Sequence, residues 1–351
     1  MNSAEKSSEF DAEIIGVKNL SISDNFITSE IDKNCANSKY DLNIGNIKID
    51  ESHMPIKLRG KQWIIQKAIG EGTNFKTYLA KSNSGEIFAI RKNRKQDRST
   101  EVYEEDEKVR EEIHNFMKLE LELDLEMMKM IGEHPNITAL IGFREVNSCW
   151  EQFMEYIDGG NLFDYINRNY IKKNRLLEVQ KARSFFNDLL SAVEHIHGLK
   201  IAHMDIKLEN CLITKNGVVK LTDFDEARYF IPNVKIPFPI YFTESYAAPE
   251  TFTKRYRPNY ADIWACGIFL YFLLQQHFPW KVANSKKDIV YRRWSIMHDK
   301  SVLSNFPECY GCISDLLMKI LNVKVRERAT LEEIRIHEWL KKSNKTLKTL
   351  S

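Results

Sequence analysis

The chain has 351 residues, 43% of them hydrophobic, enough to bury one large core or two lobes. Lysine and arginine total 51 against 49 aspartates and glutamates, a net charge of +2, so bulk charge indicates neither a nucleic-acid partner nor a charged membrane surface. The longest apolar run, Ile263 to Leu274, suits a buried core helix and falls short of the ~20 residues a bilayer requires, so no membrane insertion is expected.

The six cysteines (35, 149, 211, 266, 309 and 312) are scattered, which suits a reducing, intracellular setting, cytoplasmic or nuclear. Cys309 and Cys312 form a lone CxxC without the second pair expected of a zinc site. No charged-then-apolar signal pattern marks the N-terminus. Residues 1–57 are rich in Ser, Asn, Asp, Glu and Lys with no sustained period, and read as a disordered leader.

Ordered structure is expected from Trp63-Ile-Ile65, which opens a strand. In Ala68-Ile-Gly-Glu-Gly-Thr-Asn-Phe-Lys-Thr-Tyr-Leu-Ala80, Gly70 and Gly72 permit a tight turn whose backbone N–H groups approach phosphates closely. Alone, Gly-x-Gly marks an ordinary turn. Ile87-Phe-Ala-Ile-Arg91 is an apolar strand ending in a cation, and alternation sends Lys92 to the opposite face. Residues 92–118 are densely charged and read as an insertion ahead of, or extending, a helix, with Glu104 and Lys108 at i,i+4 spacing. That helix runs through Leu119 to Ile131 and stops at Gly132 before His134-Pro135.

Glu151 to Tyr156 reads as a strand, broken at Asp158-Gly-Gly160 and followed by a helix. Leu177 to His197 is an amphipathic helix that buries Phe185, Phe186, Leu189, Leu190, Val193 and Ile196, with His195 and His197 as structural residues at its end. It leads into Ile201-Ala-His-Met-Asp-Ile-Lys-Leu-Glu-Asn-Cys-Leu-Ile213, a polar loop between short apolar runs that carries Asp205, Lys207 and Asn210. After a further β-like run, Val218 to Leu221, comes Asp223. A base, a cation, an amide and a second carboxylate on neighbouring loops can align a hydroxyl with a metal-bound phosphate.

These stretches together resemble the protein kinase family over about residues 60–340, with His203-Met204-Asp205 through Asn210 similar to its catalytic loop. The resemblance implies an α+β, bilobal fold. Residues 58–341 form the kinase domain, with a small β-rich N-lobe (about 58–155), a helical C-lobe (about 156–341) and a polar tail at 342–351. It implies ATP and Mg2+ as cofactors and a protein substrate; oligomeric state is left open. Asp205 is then the catalytic base, Lys207 steadies the transferring phosphoryl group, and Asn210 and Asp223 hold magnesium. Gly70, Gly72 and Thr77 belong to the loop over the nucleotide, Ala89 touches adenine, and Arg91 stands where the family's strand lysine grips phosphate. Asp124, with Glu120 as the alternative, stands at the helix carboxylate that pairs with that lysine. Met154 is the gatekeeper, the backbone groups of Glu155 and Ile157 meet the adenine edge, and Leu212 lies under the ring.

By the same resemblance, Thr243 bonds the base and Lys207, which marks the serine/threonine class, Ala248-Pro249-Glu250 closes the activation segment, Glu250 pairs with Arg328, and Asp262 braces the catalytic-loop backbone. The Gly159-Gly160 hinge and Phe278-Pro-Trp280 look closest to the calcium/calmodulin-dependent and checkpoint-kinase group. Six residues depart from the family pattern: Phe75 replaces the third glycine of the loop, Thr77 the valine that covers adenine, Arg91 the lysine, Asp124 the glutamate, Met204 the arginine of His-Arg-Asp, and Asp225 the glycine of Asp-Phe-Gly. The reading is an active serine/threonine kinase, with room for reduced activity. Its alternative is a pseudokinase, a scaffold that binds nucleotide or does not.

Overall fold

The computed structural model describes residues 62–71, 75–93, 125–146, 149–237, 243–253, 255–307 and 310–341. The leader at 1–57, most of the charged insertion, the tail at 342–351, Gly72, Glu120, Asp124 and Cys309 lie outside the described residues. The chain divides into two compact units, the first including residues up to Lys129 together with Ala139–Tyr156, the second including Met130–Thr138 and everything from Ile157.

The first unit is a five-stranded antiparallel sheet in the order β1-β2-β3-β5-β4, with β1 Trp63–Glu71, β2 Phe75–Ser82, β3 Ile87–Asn93, β4 Leu140–Val146 and β5 Cys149–Glu155. Side chains alternate across a strand, and residues paired in register share a face. On one face Ala80, Phe88, Ile90 and Phe153 form a core, closed by Trp63, Ile65 and Ile141. The Trp63 ring meets Phe153 edge-on at 5.3 Å, and the Arg144 guanidinium covers Trp63 at 4.7 Å. The other face is smaller and mixed. There Phe75 packs with Leu125, from a helix over 125–131, and with Leu140 and Phe143.

The second unit is built around the Pro258–Gln275 helix, buried from Ala261 through Leu274. A helix apolar on every side belongs inside a core. The Val179–Gly198 helix is amphipathic and buries Phe185, Phe186, Leu189, Leu190, Val193 and Ile196 together with Ala182 and Ala192, as its periodicity predicts. Short strands attach to this frame: β6 Ile201–Ala202 pairs with β9 Arg228–Tyr229, and β7 Cys211–Ile213 pairs with β8 Val219–Leu221. The Gly159-Gly160 break serves a packing purpose. A Cβ at Gly159 would lie 2.2 Å from the Ile213 carbonyl oxygen, and Gly160 sits at φ +80° while its carbonyl accepts from Ile213 N–H at 2.9 Å. Only glycine permits that approach, which ties the chain after Ile157 to β7.

Among the described residues, no helix is long and apolar enough to cross a membrane.

Candidate active site

The loop between β6 and β7 is held from beneath. The buried carboxylate of Asp262, on the central helix, accepts the backbone N–H of His203 at 2.7 Å and of Met204 at 2.9 Å, and His197 Nε2 lies 2.8 Å from the same carboxylate. His203 is fully buried, with Nε2 3.0 Å from the Thr222 carbonyl. A carbonyl only accepts, so the proton sits on Nε2 and Nδ1 accepts from Asp205 N–H at 3.3 Å. These bonds hold Met204 in the left-handed region at φ +69°, a conformation a methionine adopts only when its surroundings impose it.

The functional side chains converge on Asp205. Lys207 Nζ donates to its Oδ2 at 2.5 Å, Thr243 Oγ1 donates to its Oδ1 at 3.1 Å, and Lys207 reaches Thr243 Oγ1 at 3.3 Å. Asn210 Nδ2 bonds both the Asp205 carbonyl, at 2.9 Å, and Oδ2, at 2.8 Å. The carboxylate is thus fixed by charge-assisted bonds on both oxygens. Nearby, Leu208 N–H donates to the buried Tyr246 hydroxyl at 3.3 Å, and Glu250 and Arg328 make a two-pronged pair at 2.5 and 2.8 Å. The Arg328 side chain is fully buried, gives a further bond to the Tyr260 carbonyl at 2.8 Å, and lies over Trp264.

The β7–β8 hairpin brings a second carboxylate to the loop. Cys211 pairs with Leu221, and Thr222 N–H donates to the Asn210 carbonyl at 2.9 Å, so Asn210 enters one strand where Asp223 leaves the other. Both donors of Asn210 are spent on Asp205, which leaves its amide oxygen as the atom to meet a cation. One amide oxygen and one carboxylate form a hard-oxygen set, suited to a magnesium ion that keeps waters and phosphate oxygens as its other ligands. Among the described residues no three His, Cys, Asp or Glu side chains gather into a metal-binding cluster.

In the first unit, register collects the residues proposed from sequence for the nucleotide. Gly70 pairs with Thr77, Thr77 with Arg91 and Arg91 with Gln152, while Ala89 pairs with Met154. Thr77, Ala89, Arg91 and Met154 therefore occupy one face of the sheet. Lys92 is on the other, 2.6 Å from Glu151, so it does not stand in for the missing lysine. Arg91 Nη1 donates to Gln152 Oε1 at 3.3 Å, and its guanidinium lies 4.0 Å above the Phe75 ring. Glu155 N–H donates to the Ala139 carbonyl at 2.9 Å. In the second unit, Ile157 is buried, and Leu212 is half-buried on β7 and bridges Asn161.

The sequence from 63 to 340 matches the protein kinase domain family. The chain belongs to that family. It is 31% identical over 224 residues to the probable serine/threonine-protein kinase MARK-C of Dictyostelium discoideum and 34% identical over 224 residues to the probable serine/threonine-protein kinase HSL1 of Saccharomyces cerevisiae. It is 29% identical over 316 residues to the CBL-interacting serine/threonine-protein kinase 19 of Arabidopsis thaliana. These matches cover 62%, 63% and 86% of this chain but 27%, 14% and 57% of the respective relatives, so the chain spans well under two thirds of their length.

Within this kinase domain two departures read differently in three dimensions. Asp225, in place of glycine, is not in the left-handed region; the residue that is, at φ +65°, is Asp223. Loss of the glycine therefore imposes no left-handed strain here. Phe75 opens β2 in extended backbone, where no glycine is required, and its ring is buried. Sequence reasoning did not single out Phe75, Gln152 or His203 as contacts. Alternation within β3 places Lys92, but putting Phe75 and Gln152 on the Arg91 face takes the register between strands, which the sequence of no single strand carries.

Proposed function

We propose that this chain is a serine/threonine protein kinase that transfers the γ-phosphoryl group of ATP to a protein hydroxyl. The observation that supports this most is the convergence of Lys207, Thr243 and Asn210 on the Asp205 carboxylate. Asp205 orients the substrate hydroxyl and takes its proton. Lys207, held between Asp205 and Thr243, faces the charge that develops on the transferring group. Asn210 and Asp223 hold magnesium through their oxygens, and the bound ion neutralises phosphate charge when present. By the family's pattern we assign Gly70, Gly72, Thr77, Ala89, Arg91, Met154 and Glu155 of the first unit, and Ile157 and Leu212 of the second, to nucleotide binding.

By the family's pattern we assign Asp124, with Glu120 as the alternative, as the carboxylate that pairs with Arg91, the shorter acid compensating the longer cation. If Arg91→Lys with Asp124→Glu transfers no faster than Arg91→Lys alone, that pairing is wrong. Met204 brings no charge to meet a phosphate on the activation segment, so activity is independent of phosphorylation there. The setting we propose is intracellular, in keeping with the buried free thiols of Cys211 and Cys266, whose ionisation burial suppresses.

The function is tested by incubating the protein with ATP, magnesium and a mixed library of serine, threonine and tyrosine peptides. Phosphoserine and phosphothreonine products are expected. Phosphotyrosine alone, or no product, contradicts the assignment, and the second outcome favours a pseudokinase.

A further inference from the structure

The replacement of lysine by Arg91 and of the loop's third glycine by Phe75 meet in space. Phe75 and Arg91 lie diagonally across β2 and β3, because Thr77 is the direct partner of Arg91 and Phe75 that of Asn93. The guanidinium rests 4.0 Å from the ring centroid. The ring is buried among Leu125, Leu140 and Phe143, so it is anchored to the sheet and to the 125–131 helix. Gln152, itself buried and directly across from Arg91 on β5, accepts one guanidinium N–H at 3.3 Å.

We propose that Phe75 and Gln152 are positioning residues that hold Arg91 in the place of a phosphate-binding lysine. An ammonium is a compact charge that serves a phosphate from many orientations. A guanidinium is planar and has to be turned correctly before its fork meets two phosphate oxygens. The Phe75 face sets the plane by cation–π attraction, and Gln152 sets the rotation within it. With five donors in a rigid fork, Arg91 serves protein neighbours and a phosphate together. A glycine at 75 could do none of this, so the second departure supports the first.

This proposal rests on nucleotide binding as read above, and it is tested by calorimetric titration of the full chain with ADP–Mg2+ and, separately, with adenosine. Phe75→Leu keeps an apolar side chain in the cluster and removes the ring face. It is expected to weaken ADP about three- to tenfold, the range of a partly desolvated cation–π contact, while adenosine affinity stays within about twofold. Phe75→Tyr, which keeps the ring, is expected to bind ADP like the parent. In an Arg91→Gln background, Phe75→Leu is expected to change ADP affinity no further. Equal weakening of ADP and adenosine, an unchanged ADP affinity in Phe75→Leu, or additive effects of the two substitutions would each overturn the proposal and leave the nucleotide reading standing. Failure of the parent protein to bind either ligand would overturn both.

Discussion

The catalytic hairpin of the second unit and the nucleotide-side face of the first have met substitution differently. In the hairpin, Asp205, Lys207 and Asn210 are kept, and each bonds at least one of the others or Thr243; the residue that has changed in that loop, Met204, is tied to it through its backbone N–H. On the sheet face the cation and the loop's third glycine have both changed. Connectivity accounts for the contrast. Asp205 is joined to three side chains, and its loop hangs from Asp262 by main-chain bonds, so one exchange at Asp205 would leave several half-buried or buried polar groups without a partner. On the sheet face Arg91 meets Phe75 and Gln152 through side chains alone, and side-chain contacts can be rebuilt around a new residue.

The contrast is sharpened first by Lys207→Met. It removes the cation between Asp205 and Thr243, and transfer is expected to fall about 100-fold or more while ADP affinity stays within about twofold. A loss confined to KM for ATP would place Lys207 with the nucleotide-binding residues instead. The scaffold comes next. Arg328→Ala leaves Glu250 without its buried partner and is expected to cost about 3–5 kcal/mol, lowering Tm by on the order of 10 °C in a thermal melt. A change of a degree or two would mean that the pair is solvated in solution.

The smallest effect is expected where the family pattern is broken without consequence. Asp225→Gly restores the usual residue at a position whose backbone is not left-handed. It is expected to lower stability by less than about 1 kcal/mol, through the added freedom of the unfolded chain, without raising the transfer rate. A clear gain in rate would show that flexibility at 225 limits the enzyme after all.

Much of this site was legible in the sequence because its residues lie close together along the chain. Asp205, Lys207 and Asn210 share one loop, and a β-period run of four residues announces the strand that delivers Asp223. The Glu250–Arg328 pair, distant along the chain, was reached only through family resemblance. The helical stripe at 185–196 and the strand alternation at 91–92 were legible from periodicity alone. Less legible were contacts that depend on register between strands, such as Phe75 with Arg91 and Arg91 with Gln152, since pairing is not written within either strand. The left-handed backbone at Asp223 was not legible either, since a glycine's replacement draws attention to 225 whereas the positive φ falls two residues earlier.

The central claim is that an intact catalytic hairpin makes this kinase domain an enzyme. It is tested most directly by the rate of phosphoryl transfer from labelled ATP to the peptide library in the parent protein and in Asp205→Ala, with the ADP affinity of both measured alongside. The account predicts transfer in the parent, a fall of about 100-fold or more in the variant, and similar ADP affinity in the two. Equal transfer by both proteins, or none by a parent whose melting temperature ATP–Mg2+ leaves unchanged, would contradict it.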